Sequence, residues 1–253
     1  MITSFRKIRQ KLLSENLPAG RKGKFSKYLL YAIGEIVLVV IGILIALSIN
    51  NWNEKNKLES KKQDYYLQLL DDLKKDETAT KQTIIKFDNY LKEFQNYTNT
   101  YESDVLTPPK VYEMISKLPV LSTRITFNTS TLESLQSSGD IGLMPSKIRN
   151  RLIDLKREQD LTIKHADYTD DGKNGIIQNL NPLLGSTTLP DRLKNQPELS
   201  EFFNIDENLK ELILVYEGVH RWKSISEQQS KIRLENVLKE MDTIVALINK
   251  ELK

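Results

Sequence analysis

The stretch KYLLYAIGEIVLVVIGILIALSINNWNE, residues Lys27 to Glu54, decides the fold. Its central part, Leu29 to Ile49, has 21 residues with Glu35 as the one charged side chain, enough to cross the hydrocarbon core of a bilayer. Fourteen of the 21 are Leu, Ile or Val. Together they contribute about −6 kcal/mol on an insertion scale, against roughly +3 kcal/mol for a central carboxylate. The stretch therefore predicts a transmembrane helix despite Glu35.

The basic residues around this span predict its orientation. Residues 1–28 contain one carboxylate and eight basic side chains: Arg6, Lys7, Arg9, Lys11, Arg21, Lys22, Lys24 and Lys27. The positive-inside rule then places a cytoplasmic tail at residues 1–28, the anchor at 29–49 and an extracytoplasmic domain at 50–253. Residues 29–253 together have a net charge of −4, which argues against nucleic acid as a partner.

Two alternatives concern this N-terminal region. Ala46-Leu47-Ser48 resembles a signal-peptide cleavage site, but the apolar stretch and the basic region before it are longer than a signal peptide needs, which favours an uncleaved signal anchor. In SFRKIRQKLL, the helical spacing of Phe5, Ile8 and Leu12 suits a short amphipathic helix on an anionic inner leaflet. A basic tail that serves only orientation is an equal alternative.

Three segments resemble the signature of an uncharacterised family of single-pass membrane proteins from Bacteroidota-type bacteria. They are FRKIRQKLLSEN and KFSKYLLYAIGEIVLVVIGILIALSINNWNE at the N-terminus, and FNTSTLESLQSSGDIGLM at residues 127–144. The resemblance implies a location in the bacterial inner membrane, with residues 50–253 in the periplasm. It implies no reaction.

Heptad spacing predicts one long helix after the span. Apolar residues recur at intervals of four and three, which predicts a stripe facing partner helices: Tyr66, Leu70, Leu73, Thr80, Ile84, Phe87, Leu91, Phe94 and Tyr101, broken by Glu77 and Thr98. Aromatic residues in the stripe favour an intramolecular bundle. Val105 to Pro109 should end the helix, because consecutive prolines cannot continue it.

The remaining residues predict further helices and an all-α fold. A short helix is expected at 110–118, an extended piece at 120–127, and helices at 130–136 and 146–168. Residues 170–197 are rich in Gly, Pro and Asn and predict mostly loop. A last long helix, capped by Asp206, should use a face formed by Leu209, Ile213, Tyr216, Ile225, Ile232, Val237, Ile244 and Leu247. The transmembrane helix thus continues toward an elongated antiparallel bundle.

No pattern in the sequence indicates an enzyme, a cofactor or a metal site. The chain has no cysteine, and neither histidine, His165 or His220, has a ligand-spaced partner, so both are expected as solvated helix residues. DYTDDGKNG resembles the start of a calcium loop, but Gln178 stands where the bidentate glutamate is needed, which favours an ordinary loop.

Glu35 shares one helical face with Ala32, Val39, Gly42, Ala46 and Ile49, and the pair of small residues on it permits close approach of a second helix. Three interpretations remain open. The carboxyl group is tolerated near the cytoplasmic edge, it hydrogen-bonds when protonated across a helix–helix interface, or it moves protons in a larger complex.

Two functional hypotheses follow. The first is a non-enzymatic, signal-anchored protein whose helical domain binds partners or senses a signal, and which assembles through its span with a second copy or an unknown membrane protein. The second is an accessory subunit of an ion-driven envelope complex that uses Glu35.

Overall fold

The computed structural model describes residues 21–186 and 188–253, and the side chains within them from residue 28 onward, Asp206 excepted. The chain divides into two compact units, residues 1–60 and residues 61–253. The expected amphipathic helix at the N-terminus lies outside the described residues, as does the side chain of the expected cap, Asp206.

Helices make up most of the described chain, and those residues include no strand. The all-α prediction is therefore confirmed. The helices are α1 (Arg21–Ser103), α2 (Pro108–Ser116), α3 (Ser130–Ser137), α4 (Ser146–Ile177), α5 (Asn181–Leu184), α6 (Leu189–Leu193), α7 (Pro197–Phe203) and α8 (Leu209–Glu251). Short 3-10 turns lie at Asp140–Leu143, Gln178–Leu180 and Ile205–Asn208.

In the first unit, α1 supplies an exposed apolar segment. Every described side chain from Tyr28 to Ser60 is exposed. Mean hydropathy reaches 2.8 in this part of α1, which is long and apolar enough to cross a membrane. A signal sequence near an N-terminus can pass the same test of length and composition, so these criteria alone fit a membrane span or a signal anchor.

In the second unit, α1, α4 and α8 form a three-helix bundle. α8 runs antiparallel to α4, since Arg151 pairs with Glu240 near one end and Thr169 contacts Ser226 further along. It also runs antiparallel to α1, and α1 and α4 are therefore parallel to each other. This arrangement requires the chain to return along the bundle between α1 and α4.

The return is made by α2, α3 and the irregular segment between them, residues 119–128, which we call the strap. One end of the strap contacts Lys223, whose ammonium group lies over the ring of Tyr90, and the other end contacts Asp76. Those two α1 positions are about 21 Å apart at 1.5 Å per residue. The ten residues of the strap, nine steps of about 3.3 Å each when fully extended, cover that distance only with most of the segment extended, which agrees with the predicted extended piece.

The hydrophobic core falls into three clusters along the bundle. The largest packs α1, α3, α4 and the end of α8, the smallest centres on Phe87, Ile125 and Leu234, and the third packs the end of α1 with α2 and the start of α8. Polar side chains occupy the interior between them.

The buried face of α1 differs from the predicted one. Tyr66, Leu73 and Phe87 are buried as expected, but Tyr101 is 50% exposed. At every second position of the predicted stripe, the buried residue lies one place earlier in the sequence than predicted. These buried residues are Leu69, Asp76, Tyr90 and Tyr97. Apolar periodicity alone favours the neighbouring positions, because three of these four buried residues are polar or amphipathic. Their polar groups find partners only in the folded bundle.

Two further predictions are wrong in part. α4 continues to Ile177 and absorbs the supposed calcium loop, and short helices occupy much of 181–203, so residues 170–197 are not mostly loop. On α8, Ile232 is 55% exposed although it was assigned to the buried face. Buried residues in the preceding turns of α8 include the polar Ser226, Glu227 and Ser230.

Candidate functional site

The six predicted interface residues of the span share one face of α1. Ala32, Glu35, Val39, Gly42, Ala46 and Ile49 recur at intervals of three and four, and all are exposed in the single chain. A Cβ atom added at Gly42 would meet nothing within 4 Å. The chain itself therefore imposes no packing requirement for glycine there, although glycine costs a helix about 1 kcal/mol relative to alanine.

The predicted basic membrane-surface residues are only partly described. Arg6, Lys7, Arg9 and Lys11 lie outside the described residues. Arg21, Lys22, Lys24 and Lys27 belong to the first turns of α1, but their side chains are outside the described set. Their role at an inner leaflet stays a prediction.

The unexpected feature of the second unit is a group of ionisable side chains inside the bundle. Lys223 on α8 is 2% exposed. Its ammonium group donates to the carbonyl oxygen of Pro119 at 2.5 Å, lies 3.8 Å from the ring centroid of Tyr90, and is 3.6 Å from a carboxylate oxygen of Glu227. The backbone acceptor and the aromatic face solvate this buried cation, and the carboxyl group of Glu227 lies beside it.

Lys173 on α4 is the second buried amine of this group. Its ammonium nitrogen donates to the carbonyl oxygen of Val120 at 3.0 Å and to the hydroxyl of Ser122 at 2.6 Å, and pairs with Asp170 at 3.0 Å. Ser122 in turn donates to Asp170. Two buried lysines from two helices thus bind successive residues of the strap.

Glu227 and His220 complete the cluster on α8. Burial raises the pKa of Glu227 to about 7, opposed by the charges of Lys223 and Lys173. Burial also lowers the pKa of His220 to about 4, assisted by the charge of Lys223. The hydroxyl of Tyr90 lies 3.1 Å from both Nδ1 and the carbonyl oxygen of His220. The prediction that His220 is solvated is wrong, since the residue is 0% exposed.

A second polar contact holds the other end of the strap. The backbone N–H of Asn128 donates to Asp76 at 2.7 Å, and its side-chain amide donates to Asp72 at 2.8 Å. Gln159 on α4 approaches Asp76 at 3.4 Å. Burial raises the pKa of Asp76 to about 6, and the Asn128 hydrogen bond opposes that shift. Asn128 belongs to the 127–144 block singled out in the sequence.

The spacing of these polar residues in the sequence places them at core positions of their helices, but it does not reveal which groups they contact. Asp76, Tyr90 and Tyr97 are spaced by multiples of seven, and His220, Lys223 and Glu227 continue the stripe that starts at Tyr216. These spacings place polar side chains at core positions of two helices. The partners that satisfy them belong to the strap and to α4, which only folding brings close. Within the described part of the chain, no three His, Cys, Asp or Glu residues are arranged to hold a metal ion.

Fold and site define the class: an all-α protein with one apolar helix able to cross a membrane and a helical unit with a charged interior. Residues 35–207 match the model of a family of unknown function, DUF6090. The match covers more than half of the chain, which therefore belongs to that family. No curated protein and no solved structure matches the chain significantly.

Proposed function

We propose that the protein is a non-enzymatic, signal-anchored protein of the bacterial inner membrane, with its N-terminus in the cytoplasm and residues 50–253 in the periplasm. In this proposal the helical unit binds protein partners or senses a signal, and the apolar helix both anchors and assembles the protein. The family resemblance to inner-membrane proteins supports the compartment, and the basic residues before the span support the orientation.

The observation that carries the proposal is the exposure of the apolar segment. Leu30 is 71% exposed, Ile36 63% and Leu47 53%, and no other part of the described chain covers them. Soluble monomers rarely expose a continuous apolar patch larger than a few hundred Å². A lipid bilayer supplies the missing cover for a helix of this length.

Burial of the ionisable cluster supports the non-enzymatic part of the proposal. Glu227 has a pKa suited to acid–base chemistry, but it is 4% exposed and Lys223 is 2% exposed. A general acid or base must reach the proton that it transfers within hydrogen-bond distance. In the closed bundle these groups reach one another and the strap.

Single cysteines test the membrane assignment, because the chain has none of its own. We expect a membrane-impermeant maleimide to label Ser186→Cys in cells with a permeable outer membrane, and Ser14→Cys only after lysis. The opposite pattern would refute the orientation, and extraction of the protein by alkaline carbonate would refute the anchor. Release of residues 50–253 from the membrane together with loss of an N-terminal tag would indicate a cleaved signal peptide instead.

A pair of glycine variants tests assembly through the span. Gly42 lies on the face of Glu35 and Gly34 does not, yet a Cβ added at either meets nothing within 4 Å. Both Gly42→Leu and Gly34→Leu should therefore fold and insert. We expect crosslinked oligomers in native membranes to disappear in Gly42→Leu and to persist in Gly34→Leu. Monomer alone, or no difference between the two variants, would contradict the interface.

The alternative function, an accessory subunit of an ion-driven complex, is favoured by one observation. Glu35 is an exposed carboxyl-bearing residue within the apolar segment. Glu35→Gln separates the two functions: assembly should persist in both cases, but a proton-dependent phenotype should be lost only if Glu35 moves protons. An unchanged phenotype together with unchanged assembly would leave Glu35 as a tolerated residue near the membrane edge.

A further inference from the structure

The strap is bound to the bundle mainly by buried charged groups. Lys223 and Lys173 donate to the carbonyl oxygens of Pro119 and Val120 at one end. At the other end Asn128 is held by two aspartates of α1. Between these ends, Ile125 is 7% exposed and packs with Phe87 and Leu234. Residues 119–128 therefore cover a polar interior.

Glu227 is incompletely satisfied in that interior, as is Nε2 of His220. One carboxylate oxygen lies 3.6 Å from Lys223, and the other is buried without a hydrogen-bond partner in the described part of the chain. A buried carboxylate with one free oxygen pays a desolvation cost that either protonation or access of water relieves. Either protonation of Glu227 or access of water to its carboxylate therefore removes this desolvation cost. A protonated Glu227 can stay buried, whereas an ionised Glu227 favours exposure to water.

The groups that face Glu227 come from all three helices. They are Lys223 on α8, Tyr90 on α1, and Lys173 and Asp170 on α4, and the buried His220 is the nearby histidine of α8. The strap contributes carbonyl oxygens and Ser122, and its one charged side chain, Arg124, is exposed. The negative charge of Asp170 disfavours ionisation of Glu227, and the positive charges of Lys223 and Lys173 favour it.

We propose that the strap is a proton-controlled cover of this cluster: the closed strap holds Glu227 in its protonated form, and ionisation of Glu227 favours opening of the strap to water. The released end would be the one bound to Lys223 and Lys173, whose ammonium groups water can solvate in place of Pro119 and Val120. The helical unit would thus convert a change of pH into a change of shape. This inference concerns residues 61–253 and does not depend on the membrane span.

The direction of the effect follows from proton linkage. In the closed state burial raises the pKa of Glu227 to about 7, whereas hydration returns it toward the ordinary value of 4.5. The closed state therefore binds more protons between these pH values, and its advantage is complete below 4.5 and lost as the pH rises through 7. His220, whose pKa is lowered to about 4, opposes this change if opening also hydrates it.

A cysteine in the strap measures opening directly in the full chain in detergent micelles. The reporter is Ile125→Cys, which is buried when the strap is closed. The reference is Leu121→Cys in a separate sample, since Leu121 is 81% exposed and reports the pH dependence of thiol chemistry alone. The ratio of their rates with a maleimide gives the relative opening, and measuring it again in Glu227→Gln isolates the part of its pH dependence that needs the carboxyl group of Glu227.

Between pH 6 and pH 8 we expect the ratio to rise about tenfold more in the parent background than in Glu227→Gln, the change expected for a carboxyl group whose pKa moves from 4.5 to about 7. Glu235→Gln, an exposed change on the same helix, should behave as the parent. Equal pH dependence in the parent and Glu227→Gln would overturn the proposal.

A second measurement needs no variant at residue 227. In the unaltered chain, protection of the strap amides against hydrogen exchange, corrected for intrinsic rates, should fall relative to the core amides of α8 as the pH rises from 6 to 8. Constant or rising relative protection would overturn the proposal even if Glu227→Gln failed to fold. Membrane extraction and labelling at Ser14 and Ser186 report separately on the anchor, so the two proposals can fail independently.

Discussion

Replacement of Lys173 by methionine tests the charged interior most directly. Methionine keeps most of the apolar stem and removes the ammonium group, so a large cavity is avoided. Three contacts are lost: the hydrogen bonds to Val120 and Ser122, and the ion pair with Asp170. If residues 170–197 were the loop that their composition suggests, the change would have almost no effect.

The loss of stability depends on whether each group that loses its contact with Lys173 can form a hydrogen bond to water instead. A buried acceptor left without a donor costs about 1–3 kcal/mol. Asp170 keeps 35% of its side chain exposed, so water replaces its partner, and the larger cost of stranding a buried charge applies only in part. We therefore expect Lys173→Met to lower the free energy of unfolding by about 3 kcal/mol.

The assay is guanidinium unfolding of the full chain in detergent, followed by tryptophan fluorescence. Trp222 is a local reporter, because a Cβ placed on Gly172 would lie 3.7 Å from its ring. The chain has two tryptophans, and Trp52→Phe in every sample leaves Trp222 as the single emitter. Changes in midpoint at constant slope give the difference in stability.

Lys194→Met is the matched control. Lys194 also pairs with an aspartate three residues away, but its side chain is 72% exposed, so its replacement should leave the free energy of unfolding essentially unchanged. A loss for Lys173→Met no larger than that of the control would refute the argument that the strap is held by buried charge.

Three further predictions concern the same unit. Burial raises the pKa of Asp76 to about 6, so its stabilising contribution is full below 3.8 and is lost as the pH rises through 6. Asp76→Asn should therefore gain about 2 kcal/mol of stability relative to the parent between pH 4 and pH 7, and parallel pH profiles in denaturant titrations would contradict this. Asn128→Ala, which removes the side-chain amide bound to Asp72, should cost about 1–2 kcal/mol by the same titration, and an unchanged midpoint would show that this contact is not needed. Leu234→Ala, at a 0% exposed site, should lower stability by about 2–5 kcal/mol, whereas Ile232→Ala should change it by less than about 0.5 kcal/mol, and the reverse order would restore the face predicted from sequence.

Much of the fold was predictable because it depends on local features. The end of α1 before Pro108, the short helix that follows, and α3 ending before Gly139 lie within a few residues of their predicted positions. Proline and glycine act through the conformation of their own backbone and of their neighbours, so their effects do not depend on the tertiary structure.

The candidate site was less predictable because its residues contradict the hydrophobic pattern. Tyr90 and Lys223 occupy interior positions where a count of apolar residues expects leucine or isoleucine. The burial of Lys223 is tolerated because Pro119, far away in sequence, supplies a carbonyl oxygen for its ammonium group. Sequence periodicity detects the face of a helix, but it cannot detect which distant backbone groups will satisfy a polar side chain on it.

The sequence by itself determined the apolar helix at residues 29–49 and the all-α character of the rest, because hydrophobic length and periodicity are properties of contiguous residues. Only the tertiary structure decided that α4 extends through the supposed calcium loop, that the strap returns along the bundle, and that Lys173, Lys223 and Glu227 meet inside it. Their meeting depends on contacts between residues up to about a hundred positions apart, whose energies exist only when three helices and the strap are assembled.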